Sequence, residues 1–117
     1  GNLLVFRGSY RVPWLRADRR IERAHDALAP GKRNPALAEQ LLQEITAIYP
    51  EDYQAAFLLG NLLVERGATE PAIRAYALSR EHAPGEDGLV ATLTRQIDAL
   101  SRRGATHVGP LRNPWLE

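Results

Sequence analysis

The sequence predicts an all-α protein, a short stack of antiparallel helix pairs closed by a C-terminal capping helix, and three observations carry that expectation. Apolar residues recur at three- and four-residue steps throughout residues 18–103, the spacing of one face of an α-helix. Proline, glycine and capping residues divide this stretch into pieces of ordinary helix length. The pattern also repeats at an interval of 34 residues, which pairs Pro50 with Pro84, Ala38 with Ala72, Leu42 with Tyr76, Ala56 with Val90, Leu59 with Leu93, and Leu63 with Ile97. A fixed period of that size is the mark of stacked helical units, each too small to hide its apolar face alone.

The first helix is expected through Ile21, Ala24, His25 and Leu28. Their spacing equals that of Ala56, Leu59, Gly60 and Leu63, with one extra residue in the turn Ala29-Pro30-Gly31-Lys32-Arg33. His25 then stands where the later unit has a small residue. The second helix opens at Asn34-Pro35, a side-chain cap followed by a proline whose missing N–H costs little in the first turn. It runs through Leu37, Leu41, Leu42, Ile45 and Ile48 towards Pro50.

The third helix carries Ala56, Leu59, Gly60, Leu63 and Val64 on one stripe. Gly60 permits close approach of a second backbone, which offsets its helix-propensity cost of about 1 kcal/mol. Gly67 is read as the stop, Thr69 as the cap of the fourth helix, and Pro71 as a first-turn residue. The acidic pairs Glu51-Asp52 and Glu86-Asp87 each follow a proline at a predicted helix start, where carboxylates favour the positive end of the helix dipole. Asp87 is the expected cap of the last helix, which uses Leu89, Val90, Leu93, Ile97 and Leu100 and ends near Gly104. Having no partner, it should shield the flank of the last pair.

Two arms remain. Within the arm 1–17, Leu3 to Val12 alternates weakly around Gly8-Ser9 and reads as a short hairpin or an extended arm. Residues 104–117 contain Gly109-Pro110 and Asn113-Pro114 and read as an extended tail. Each arm carries one tryptophan, Trp14 or Trp115.

Residues 53–86 resemble a tetratricopeptide repeat through Ala56, Leu59-Gly60 and Leu63 in the first helix and Ala72, Tyr76, Ser79 and Pro84 in the second. The match departs at Ala56, where that family often has Trp, and at Ser79, where it prefers Ala. The resemblance covers residues 18–103 and implies a right-handed superhelix of two repeats, 18–52 and 53–86, with residues 87–103 as the cap. It also implies a groove lined by the first helices of successive repeats, in which an extended peptide or partner helix lies. Carried onto this sequence, the groove presents Arg19, Glu22, Arg23 and Asp26, then Gln54, Phe57, Asn61 and Glu65, then Arg95. Asn61 and Arg95 suit hydrogen bonding to a peptide backbone or terminal carboxylate, and Phe57 offers an apolar contact. Phe57 stands where chaperone-binding members have a lysine, so their complete carboxylate clamp is not formed. Two repeats fall short of the three usually needed for a stable stack. The groove is therefore open to filling by the chain's own arms, a second copy or a larger complex, with Trp14 and Trp115 as the covering side chains.

Composition fits a folded domain: 44% of the 117 residues are hydrophobic and 25% charged. The absence of cysteine excludes disulfides, thiolate catalysis and cysteine-ligated zinc. Fourteen arginines stand against the single Lys32, a bias associated with GC-rich bacterial coding sequences. The net charge of +1 conceals an asymmetry, with eight basic against three acidic residues in 1–33 and four against ten in 34–100.

Catalytic constellations are weak. His25, His82 and His107 share no face with one another or with matched carboxylates, and Ser9, Ser79 and Ser101 lie in no nucleophile elbow. No glycine-rich phosphate loop occurs. Neither catalytic residues nor a metal or cofactor are expected. Arg7, Arg11, Arg16, Arg19, Arg20 and Arg23, with Tyr10 and Trp14 among them, have the residue types for phosphate contacts and base stacking.

The expected function is a non-catalytic protein-interaction scaffold, an accessory or assembly subunit of a bacterial complex that grips a protein or peptide partner or a second copy of itself. The alternative is nucleic-acid or anionic-surface binding through residues 7–23. The chain contains no methionine, and Leu3-Leu4-Val5-Phe6 reads either as the end of an upstream membrane anchor or as a strand or docking tail. An anchor would place the protein at a membrane, in the periplasm or, by the neighbouring arginines, on the cytoplasmic side.

Overall fold

Five helices follow one another in a computed structural model that describes residues 19–85 and 88–115: α1 (Arg19–Leu28), α2 (Pro35–Ile48), α3 (Tyr53–Glu65), α4 (Thr69–His82) and α5 (Leu89–Arg103). A 3-10 turn at Ala105–His107 comes next, and the described residues contain no strand. The residues Leu3–Phe6, the expected hairpin at Leu3–Val12, the arginines at 7, 11 and 16, Trp14, Glu86 and the expected cap Asp87 lie outside the described residues.

Packing runs between chain neighbours, from α1 on α2 through to α4 on α5, and the 3-10 turn folds back onto α3, α4 and α5. The stripes read from the sequence supply the core. Ile21, Ala24, Ala27 and Leu28 of α1 meet Ala38, Leu41, Leu42 and Ile45 of α2, with Ala72, Tyr76, Leu93 and Leu100 continuing the same cluster. His25, standing where the later unit has Gly60, is half-buried beside that stripe. Burial lowers its pKa, and the neighbouring Asp26 partly opposes the shift.

α3 lies at the centre, with every residue from Gln54 to Val64 buried. A helix apolar around its whole circumference has to be covered on all sides. α2 and α4 cover two of them, and the chain after α5 covers a third, as the site geometry makes plain.

Local signals set the helix ends. Asn34 accepts a hydrogen bond from the Leu37 N–H at 3.2 Å and Pro35 opens α2, while buried Asp52 accepts from the Ala55 N–H at 3.1 Å to cap α3. At the other end of α3, Gly67 adopts φ +81°, its N–H donates to the Val64 carbonyl at 3.0 Å, and the Ala68 N–H donates to the Leu63 carbonyl at 2.9 Å. This is the Schellman arrangement, in which a left-handed residue lets the last carbonyls find donors. It turns the chain directly into α4.

The cap expected at Thr69 is displaced by one residue. Ala68 is the N-cap of α4 and has no side chain to offer. The Thr69 hydroxyl instead accepts the Ala105 N–H at 2.8 Å, 36 positions away, and so pins the turn that follows α5.

Two surface ion pairs link the first helix pair to α3. Arg33 reaches both carboxylate oxygens of Glu65 at 2.8 and 2.9 Å, and Arg66 reaches both of Glu39 at 2.9 Å. Exposed pairs of this kind add little stability.

Candidate functional site

The site begins with a contact inside the second helix pair. An ideal Cβ on Gly60 would lie 2.6 Å from the Tyr76 ring, well inside van der Waals contact. The sequence expectation of close approach at Gly60 is met, although the neighbour is an aromatic face of α4 and not a second backbone. Lying in that notch, Tyr76 is fully buried and carries its hydroxyl past α3 to the far side.

There the hydroxyl enters a polar network. Tyr76 O–H donates to Asn61 Oδ1. Gln96 of α5 approaches the Tyr76 oxygen at 3.4 Å and donates to the Gly109 carbonyl at 2.8 Å. Asn61 closes the arrangement with two bonds to one residue: its Nδ2 donates to the Leu111 carbonyl at 2.8 Å, and its Oδ1 accepts the Leu111 N–H at 2.8 Å. A side-chain amide that pairs with both backbone groups of a residue reads main chain and not side-chain identity. The segment held here is the protein's own C-terminal tail.

Side chains complete the hold. Trp115 meets Phe57 edge-to-face with ring centroids 4.9 Å apart, and Tyr53 at 6.2 Å. Phe57 in turn meets Tyr76 at 6.3 Å, so an aromatic series runs from the tail into the core. Ser79 donates to the Tyr53 carbonyl at 2.8 Å, tying the start of α3 to α4. The hydroxyl at a place where the resembled family prefers alanine is thus fully used.

The tail fills its channel incompletely. A cleft of about 410 Å³ remains between Tyr53, Phe57, Leu89 and Thr92 on one side and Leu111, Pro114 and Trp115 on the other. A second of about 170 Å³ lies between Leu28 of α1, Leu58 and Leu62 of α3, and the tail at Pro110–Asn113. The groove is therefore bounded by α3 and α5, with the end of α1 at its margin.

The sequence-derived residues divide into three sets. Gln54, Phe57 and Asn61 are buried, at 2%, 1% and 8% exposure, because the chain itself covers α3. Arg19, Glu22, Arg23 and Asp26 are exposed on α1, and Glu65 is taken up by Arg33. Arg95 is exposed, with Thr92 as a neighbour at 3.5 Å, while the side chain that reaches the tail from α5 is Gln96. Gln96 was detectable as a polar interruption of the stripe Leu89, Leu93, Leu100. Of the two tryptophans, Trp115 is in the groove and Trp14 lies outside the described residues.

Burial pushes the Tyr76 pKa up to about 12, against the opposing effect of its hydrogen bonds with Gln96 and at Leu111. The folded state then holds this proton at a pH where the unfolded chain, with an ordinary tyrosine pKa near ~10, has released it. Stability from Tyr76 is complete below pH ~10 and falls by roughly 2–3 kcal/mol as pH rises towards 12. Denaturant titrations at several alkaline pH values should show this slope in the natural protein and a shallower one in Tyr76→Phe.

Among the described residues, no group of three His, Cys, Asp or Glu side chains is placed to hold a metal ion, and no helix is long and apolar enough to cross a membrane. What the geometry defines is a helical-repeat protein whose own C-terminal segment lies in a channel along one side. The tetratricopeptide repeat family model matches residues 31–97, more than half of the chain, and the protein belongs to that family. Comparisons with curated proteins and with solved structures give no match.

Proposed function

We propose that the protein is a non-catalytic interaction scaffold, an accessory or assembly subunit of a larger bacterial complex, and that it holds a protein partner in the channel between α3 and α5. The single observation that carries this reading is the pairing of Asn61 with both backbone groups of Leu111, beside an aromatic seat at Phe57. A groove that can hold its own tail in this way has the chemistry to hold another chain's backbone. Arg19 and Arg23 on α1 and Arg95 on α5 would add charge at its edges, and Trp14 would contribute from the N-terminal arm.

The test places a photo-crosslinking residue either at Thr92, which lines the channel, or at Ile48, which is 47% exposed on α2 away from it. The partner should crosslink from position 92 and not from position 48, and should remain associated at about 0.5 M salt, where exposed charges are largely screened. Crosslinking from neither position, with a steeply salt-dependent affinity for polyanions, would favour binding through residues 7–23 instead.

A further inference from the structure

The tail is a bound peptide whose details specify what else fits. Its fixed end is the 3-10 turn, where Thr69 holds the Ala105 N–H and both Ala105 and Val108 are buried. Beyond Val108 the hold changes character. Gly109, Pro110, Arg112 and Pro114 are exposed, and Leu111 and Trp115 are only half-buried. The bonds from Gln96 and Asn61 go to main-chain atoms that any residue other than proline would present. The apolar side-chain contacts of this stretch are made at two places, Leu111 between the two clefts and Trp115 on Phe57 and Tyr53. Asn113 helps set their spacing, since its side chain accepts the Trp115 N–H at 3.0 Å and turns the ring back onto α3.

The tail also leaves an open cleft of about 410 Å³ beside its own Pro114 and Trp115. A segment with the same spacing and a larger side chain near position 112 or 114 would fill this space with apolar contact.

Resting on the reading of the channel as the binding surface, we propose that its partner is a non-helical segment of another protein in which a leucine is followed four residues later by an aromatic ring, and that it binds by displacing residues 109–115. The tail acts as a tethered competitor, so the affinity measured for the intact chain is the intrinsic one reduced by the fraction of time the channel is open. Loosening the tail raises that fraction without substituting any residue of α3 or α5. Trp115→Ala does so at a half-buried position near the end of the chain.

The probe is a fluorescent peptide with the sequence of residues 108–115, followed by polarisation against the 117-residue chain and its Trp115→Ala variant. The expected result is saturable binding to both, at least about tenfold tighter to the variant. Alanine at the peptide's leucine or at its tryptophan should abolish binding. Circular dichroism of the variant verifies that the helices are intact.

Equal affinity for the two proteins, or indifference to the peptide's leucine and tryptophan, would overturn the proposal. So would a concentration-dependent dimer that the peptide dissociates, because the channel would then belong to the tail of a second copy. If a partner crosslinks at position 92 but the peptide neither binds nor competes, the leucine–aromatic pattern is wrong while the channel remains the binding surface. If no partner crosslinks there, the broader reading fails, whatever the peptide does.

Discussion

Tyr76→Ala is expected to destabilise the protein by about 3–5 kcal/mol, the range for removing a fully buried large aromatic side chain. The ring fills the notch above Gly60, and its hydroxyl supports Asn61 and Gln96. Gly60→Ala alone should cost about 1–3 kcal/mol, because the crowding of its methyl against the ring outweighs the gain of about 1 kcal/mol in helix propensity. The informative measurement is the double variant. With the ring gone, the added methyl enters vacated space, and Gly60→Ala should turn neutral or stabilising. Urea unfolding of all four proteins gives the coupling. Additive losses would mean that Gly60 and Tyr76 do not share the notch.

A second large effect is expected at Asn61. Asn61→Leu conserves volume but leaves the Tyr76 hydroxyl and both backbone groups of Leu111 without their partner. Abandoned polar groups near a buried position cost about 1–3 kcal/mol each, less where water reaches them. A net loss of about 2–4 kcal/mol is therefore anticipated. Part of that loss depends on the tail. In a chain ending at Val108, already weaker for lack of the tail, the further cost of Asn61→Leu should shrink to that of the Tyr76 bond alone. Undiminished cost in the shorter chain would show that Asn61 acts wholly within the helix pair.

The legibility of these features in the sequence follows the range over which each is determined. Asn34, Asp52 and Gly67 act on residues within one helical turn, and their place in the chain is enough to read their roles. The apolar stripes and the 34-residue interval likewise specify the order of helices without knowledge of their neighbours. Thr69 was misread because a threonine near a helix start has two uses. Here a distant N–H at Ala105 took the hydroxyl that a local cap would have used.

Arg95 and Gln96 illustrate a different limit. Adjacent residues on a helix are separated by about 100°, so a one-residue error in the register of α5 exchanges an exposed guanidinium for the amide that faces the tail. The family resemblance implied a groove along α1, α3 and α5 but could not supply that register. The occupant of the groove lies further still from local inference: Asn61 and Leu111 are 50 positions apart, and no periodicity connects them. Only the presence of a tryptophan in a proline-rich tail, beside an apolar surface too large for two repeats, hinted at the contact.

Asn61 Oδ1 faces two ways, taking one proton from the hydroxyl beneath it and another from the strip of chain above. Withdrawing the upper donor frees a lone pair on an atom that also steadies the joint between α3 and α4. Whatever lies in the channel is thus felt one bond deeper, and a replacement chain that offers its own N–H at that point restores the joint as it docks. Vacancy, and not exchange, is the condition under which the domain slackens.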